Sequence, residues 1–315
     1  MNVNEIVVSG FGMMNSEIPK DLTSILKNKK AAKVVTRTAH LAEIAAHRAL
    51  IDAKLIASNK DKDNKYFYNY NPFEMGLYMG VGPVPSAFDP AIPLVTHSLN
   101  PENNTFDLKR FATEGITRTN PLLVLHYLSG LVLSHVAISF NIKGSTVIFN
   151  SFAAGAVAAL QSAVLDLLED NVKYALVGGA DELISYMGTT TYFNWGWFDH
   201  KDFVQSEGAG FLILEKKENA NKRLARSDYK AELLSINLST KMSNECFNKH
   251  SNDQVKPLNY FPYVTGNQYG AAGPILEIID LINVNNSSEK DNQTFCVTVN
   301  SPNGMNGEII LKHEK

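Results

Sequence analysis

Apolar residues along the chain alternate between short runs and longer stretches of helical period. Glu5 to Gly12 holds the run Ile6-Val7-Val8 and reads as a short buried strand closed by a glycine turn. Ala39 to Lys54 sets Leu41, Ile44, Ala45, Leu50 and Ile51 at helical spacing. Ser58 to Asn71 is rich in Lys, Asp, Asn and Tyr and reads as a surface loop. Met75 to Val81 predicts a second strand, ended by Gly82-Pro83-Val84-Pro85, and residues 86 to 118 read as irregular. Leu122 to Phe140 predicts a buried helix and Thr146 to Phe149 a strand. Ala153 to Asp170 predicts a helix with Val157, Leu160, Val164, Leu167 and Leu168 on one side. Tyr174 to Val177 reads as a strand ended by Gly178-Gly179, and Phe211 to Glu215 as another, followed by a charged turn over Lys216 to Arg226. Ala231 to Asn237, Thr294 to Asn300 and Glu308 to Lys312 are further strands, Gly273 to Ile282 is a last helix, and 242 to 259 is a polar, mobile stretch. Strands alternating with helices imply an α/β layered fold with mixed sheets covered on both faces.

One stretch raises the question of a membrane. No Asp, Glu, Lys or Arg lies between Arg118 and Lys143, and none between Lys143 and Asp166. Either segment is long enough to span a bilayer. His126, His135, Asn150 and several serines interrupt the run, and Thr146-Val147-Ile148-Phe149 has strand character. A buried core of a layered protein is the expected reading, because a helix apolar on every side belongs in such a middle layer.

Composition narrows the class. The 315 residues suffice for one large domain or two modest ones, and 44% hydrophobic with 19% charged residues excludes a disordered chain. A net charge of −3 gives no reason to expect nucleic acid or an anionic membrane as partner. Cys246 and Cys296 are too few for a disulfide framework, which fits a reducing cytoplasm, and the N-terminus lacks the pattern of a signal peptide.

The common chemical motifs fail. Gly10-x-Gly12 follows a strand, but Asn15 stands where a dinucleotide loop needs its third glycine, and Pro83 spoils Gly80-x-Gly82 by removing an amide. His40 and His47 lie seven apart on one helix with no carboxylate evidently placed for a metal, and His126 and His135 read as structural. No metal and no cofactor is expected. Ser151, just before the helix that starts near Ala153, is either a nucleophile at a positive helix end or an ordinary N-cap. It lacks the glycine-flanked elbow of hydrolases and has no histidine nearby in sequence.

Four segments in order resemble the β-ketoacyl-ACP synthase family, which has the thiolase fold. They are Val7-Val8-Ser9-Gly10-Phe11-Gly12-Met13, the run from Leu131 to Asp181, Phe203 to Glu215, and Val264-Thr265-Gly266-Asn267-Gln268-Tyr269-Gly270-Ala271-Ala272-Gly273. The tail Asn300-Ser301-Pro302-Asn303-Gly304-Met305-Asn306-Gly307 matches loosely. The resemblance implies a pseudo-duplicated, layered αβαβα fold in a compact version, with ketosynthase-like halves over 1–218 and 229–315.

The departures from the family carry the functional expectation. Active members hold a cysteine at the helix N-terminus, where dipole and amides favour the thiolate. Ala153 stands at that position. Active members follow Thr-Gly with histidine, and Asn267 stands there. The family's other histidine lies between the third and fourth segments, where His250 lacks the surrounding motif. Condensation needs a thiolate to hold the acyl chain and imidazoles to promote decarboxylation. A methyl group at 153 cannot be acylated, and Asn267 cannot shuttle a proton near neutral pH.

The sequence is similar to the cysteine-free chain-length factors that pair with an active ketosynthase in type II polyketide systems, many of which carry glutamine where Ala153 stands. Its compactness is similar to that of partner subunits in aryl-polyene-type pathways. The resemblance implies a heterodimer with an active ketosynthase, supplied by an acyl carrier protein. Thr146, Val147, Ile148, Phe149 and Asn150 would pair with the partner's matching strand, and Leu123, Phe111, Ile116 and Phe152 would line the acyl tunnel unless they are plain core. An enzyme of another class, an acyl-ACP or acyl-CoA hydrolase or transferase using Ser151 or His250, is the competing reading.

Overall fold

The computed structural model describes residues 3–15, 35–60, 66–82, 91–122, 125, 127–186, 188–190, 204–224, 229–239, 256–260, 267–268, 270–286, 293–301 and 305–313. The chain opens with β1 (Ile6–Met14) and α1 (Arg37–Asp52), then β2 (Ile56–Lys60), β3 (Tyr66–Tyr68) and β4 (Met75–Val81). A helical excursion follows, made of α2 (Ile92–His97), α3 (Leu108–Arg110), a π-helical turn Phe111–Gly115 and a 3₁₀ turn Ile116–Arg118. Next come α4 (Gly130–Ser139), β5 (Thr146–Asn150), α5 (Phe152–Leu168), β6 (Tyr174–Glu182), β7 (Val204–Gln205), β8 (Glu207–Lys216) and α6 (Lys217–Arg223). The last part holds β9 (Ala231–Ser239), β10 (Lys256–Tyr260), β11 (Asn267–Gln268), α7 (Gly273–Asn286), β12 (Gln293–Asn300) and β13 (Asn306–His313).

Nine strands form one sheet in the order β10-β12-β13-β9-β1-β8-β6-β4-β5. It is built twice on one plan. In the first half β4 runs parallel to β6, β6 antiparallel to β8, and β8 antiparallel to β1. In the second half β10, β12, β13 and β9 repeat those relations in the same order. A short antiparallel β1–β9 pairing joins the halves. The first half carries an additional end strand, β5, parallel to β4.

Burial explains the layers. All seven residues of β4 are buried, as a strand inside a covered sheet requires. One core cluster unites α5 and α7 with strands of both halves, so these helices form the middle layer. A second cluster joins α1 and α4 to the opposite face of the first half. Thr36 caps α1 by accepting from the Ala39 amide at 3.2 Å.

Several sequence expectations are corrected. Gly10 and Gly12 do not turn the chain; β1 runs through them to Met14, and a Cβ on Gly10 would come within 2.5 Å of the Ala53 amide nitrogen of the loop after α1. The supposed loop 58–71 contains part of the hairpin β2–β3. Within 86–118 the described residues 92–97 and 108–118 are helical while 98–107 hold only turns and an isolated bridge, and the charged turn after Glu215 contains α6. The helix expected from Leu122 begins only at Gly130, after Pro121, and Leu122 is 48% exposed. Strand β6 continues through Gly178-Gly179, and glycine is required there by close packing: a side chain at Gly178 would collide with Phe211 and one at Gly179 with Ala271. His126, His250 and most of 242–259 lie outside the described residues, though 256–259 belong to β10. Among the described residues, no helix is long and apolar enough to cross a membrane.

Candidate functional site

The site is the turn between β5 and α5. β5 ends at Asn150, Ser151 follows with φ −150° and ψ 54°, and Phe152 takes a left-handed φ of 43° before the helix runs on. That conformation is rare for a bulky residue and marks a strained turn. Phe152 and Ala153 are both buried. The small residues after them let α5 approach the sheet. A Cβ on Gly80 would run into the backbone of Gly155 and Ala156, and one on Gly155 would come within 2.9 Å of the Phe149 carbonyl.

The amides at this helix start have acceptors inside the protein. Gly155 N–H donates to the Ser151 carbonyl at 2.8 Å. Ala154 N–H donates to Ser301 Oγ at 3.2 Å, across 147 residues of sequence. Ser151 stands at the N-cap position but makes no side-chain cap, which corrects the sequence reading. Its Oγ lies instead 3.7 Å from Met305 Sδ. A thioether is a weak acceptor and no base.

On the facing side, the 3₁₀ turn Gly270–Ala272 leads into α7 and touches α5 and β6. Asp181, 2% exposed at the end of β6, accepts from Ala271 N–H at 3.0 Å and from Glu182 N–H at 2.9 Å. Asn267 lies in β11, in parallel register with Val204 of β7. Ala153 and Asn267 thus open or precede the two helix starts that meet in the middle layer. Arg37, ahead of them on α1, makes a two-pronged ion pair with Glu207 of β8, and Glu207 stands directly across from Glu182 of β6. The Arg37 pKa is raised, chiefly by its hydrogen bond to Glu207.

The residues expected at the tunnel lie on different elements. Phe152 is at the turn, whereas Leu123 lies outside the described residues. Phe111 and Ile116 sit in the helical excursion, which folds largely on itself through α2 and the π-helical turn. There the Phe111 ring contacts Phe106 at 5.7 Å between centroids, and Ile116 is 51% exposed. Thr146 to Asn150 form β5, an end strand whose described pairing is with β4 alone.

Ser301, Asp181 and Glu207 were not assigned roles by sequence. Each lies inside a segment that resembles the family, yet each acts on a residue 90 or more positions away, and that distance hides the partner.

The duplicated sheet and its buried central helices define a thiolase-like layered fold of the ketosynthase type. The family model for the N-terminal domain of β-ketoacyl synthases matches residues 10–220, and the chain belongs to that family. No curated protein sequence matches the chain. Solved structures share the fold at low identity. One is the AntDE:AntF complex, a type II polyketide synthase acyl carrier protein with its ketosynthase bound to the hexaketide; it aligns with TM-score 0.71 and 14% identity over 98% of this chain and 99% of that one. A β-ketoacyl synthase from Burkholderia phymatum STM815 gives 0.71 and 14% over the whole of both chains. The ishigamide ketosynthase/chain length factor gives 0.69 and 12% over 99% of this chain and 100% of that one.

Proposed function

We propose that the chain is a non-catalytic, chain-length-factor-like partner of an active ketosynthase in fatty-acid-like polyketide or polyene synthesis. It shapes the tunnel that receives the growing chain from an acyl carrier protein, and it works in the cytoplasm without cofactor or metal. The halves 1–218 and 229–315 act as one unit. The observation that carries this reading is the helix start itself: Ala153 offers no nucleophilic atom, and the next amide is already bonded to Ser301 Oγ. Asn267 in place of histidine points the same way.

The outer surface supports a partner. β5 ends the sheet, with Thr146 and Asn150 exposed and the three residues between them half-buried. Beside it, α4 is predominantly apolar, yet only Val132, Val136 and Ser139 are buried, and Ile138 is 60% exposed. An apolar helix next to an open strand edge is what an obligate interface leaves when one subunit is viewed alone. In this reading β5 pairs across the interface, and Leu123, Phe111 and Ile116 reach the shared tunnel. A hydrolase built on Ser151 is the competing reading, and Ser151 lacks the glycine-flanked elbow of hydrolases.

Co-expression with a cysteine-bearing ketosynthase, followed by size-exclusion chromatography, tests the proposal. The expected result is a stable 1:1 heterodimer and a chain that alone is poorly soluble or homodimeric. A well-behaved monomer that ignores the ketosynthase overturns it.

A further inference from the structure

The two halves of the fold meet through contacts that are exchanged in both directions. Phe152-Ala153-Ala154-Gly155-Ala156-Val157 opens α5, and Gly270-Ala271-Ala272-Gly273-Pro274-Ile275 opens α7. The first residue of each run has a left-handed φ, 43° for Phe152 and 49° for Gly270. The sixth residue of each run sits against a glycine of the other half. A Cβ on Gly307 of β13 would lie 2.7 Å from the Val157 side chain, and one on Gly210 of β8 would lie 2.9 Å from that of Ile275. β13 and β8 occupy the same place in their respective halves.

Polar contacts cross between the halves as well, from the third residue of the first run and the second residue of the other. Ser301, just past β12 in the second half, accepts from Ala154 N–H of α5 in the first. Asp181 of β6, the strand equivalent to β12, accepts from Ala271 N–H at the start of the second half's helix. Both acceptors are buried, and so are both alanines' surroundings. A buried amide at a helix start has no intrahelical acceptor and must find one elsewhere.

We propose that Asp181 and Ser301 are a reciprocal pair of positioning residues, each lent by one half of the fold to hold the helix start of the other. Together they fix where Ala153 sits relative to the segment that follows Asn267. The inference rests on the duplicated fold and does not depend on the proposed function.

Hydrogen exchange of the full chain, read by mass spectrometry on peptides covering 150–157 and 269–275, tests it. Ser301→Val, which removes the acceptor at similar size to threonine, raises exchange at the start of α5 by at least about tenfold, while Ser301→Thr keeps the protection of the wild-type chain. Asp181→Ala does the same at 269–275, in the half it does not belong to, and Asp181→Asn, which retains one acceptor oxygen, falls between. Equal exchange in the Ser301→Val and Ser301→Thr chains overturns the proposal, as does loosening confined to the half that carries the substitution. If Asp181→Ala does not fold, the Ser301 pair and Asp181→Asn decide the question alone.

Discussion

Phe152 is the residue at which local and global demands conflict. Its backbone is left-handed, which costs a non-glycine residue about 1–2 kcal/mol, yet its side chain is 4% exposed. Burial of the ring outweighs the strain, since removing a buried Phe costs about 3–5 kcal/mol. The two contributions separate in a pair of variants. Phe152→Gly and Phe152→Ala both lose the ring, but only glycine relieves the backbone, so Phe152→Gly is expected to be the more stable by about 1 kcal/mol. Urea denaturation checks this; the ordinary order of helical residues, with alanine ahead, would contradict it. That residue 153 is an alanine needs only an identity and is plain in the sequence. The left-handed turn before it is not, because nothing in Ser151-Phe152 announces a positive φ.

At the scale of elements, the seam between α1 and α4 holds a cluster that sequence spacing left unpartnered. Glu43 lies between His40 and His47 on α1 and is 2% exposed. Its Oε1 accepts from Ser139 Oγ of α4 at 2.5 Å, and its Oε2 lies 3.9 Å from His40 Nδ1. Burial pushes the Glu43 carboxyl up to about 7, against the hydrogen bond from Ser139. Burial lowers the pKa of His40, helped by the nearby charges of His135 and Arg37, and burial lowers that of His135. The signs oppose. For Glu43 the folded chain keeps a proton that the unfolded chain loses above about 4.3, so stability falls as pH rises from there to about 7 and then levels off. For the two histidines stability falls instead as pH drops below about 6.5. Glu43→Gln removes the carboxyl's share alone, on the order of 3 kcal/mol. Its melting temperature relative to wild type is therefore expected to climb by several degrees between pH 5 and pH 8. A difference that stays constant over that range would contradict the account.

The helices and strands were legible to different depths. α1, β4, β5 and α5 were readable to within a few residues because each carries a continuous period of apolar positions. β6 and β8 were read too short because glycines look like punctuation in a sequence. Here they mark close approach of other chain segments, which only the tertiary structure reveals.

For the whole molecule, the layered fold and its duplication followed from a few matched segments, but the way the halves are joined did not. The β1–β9 pairing and the crossed contacts of Ser301 and Asp181 link residues far apart in sequence, and no local pattern encodes them. What the assembled molecule presents is a condensing-enzyme scaffold with alanine at the helix start and an open, apolar flank beside its end strand. The account assigns the chemistry to a partner and the shape to this chain. Intact-mass measurement of the chain and a cysteine-bearing ketosynthase, incubated separately and together with an acyl-loaded carrier protein, tests that division most directly. The account predicts acyl mass on the ketosynthase alone and none on this chain under any condition; a covalent acyl adduct on this chain by itself would contradict it.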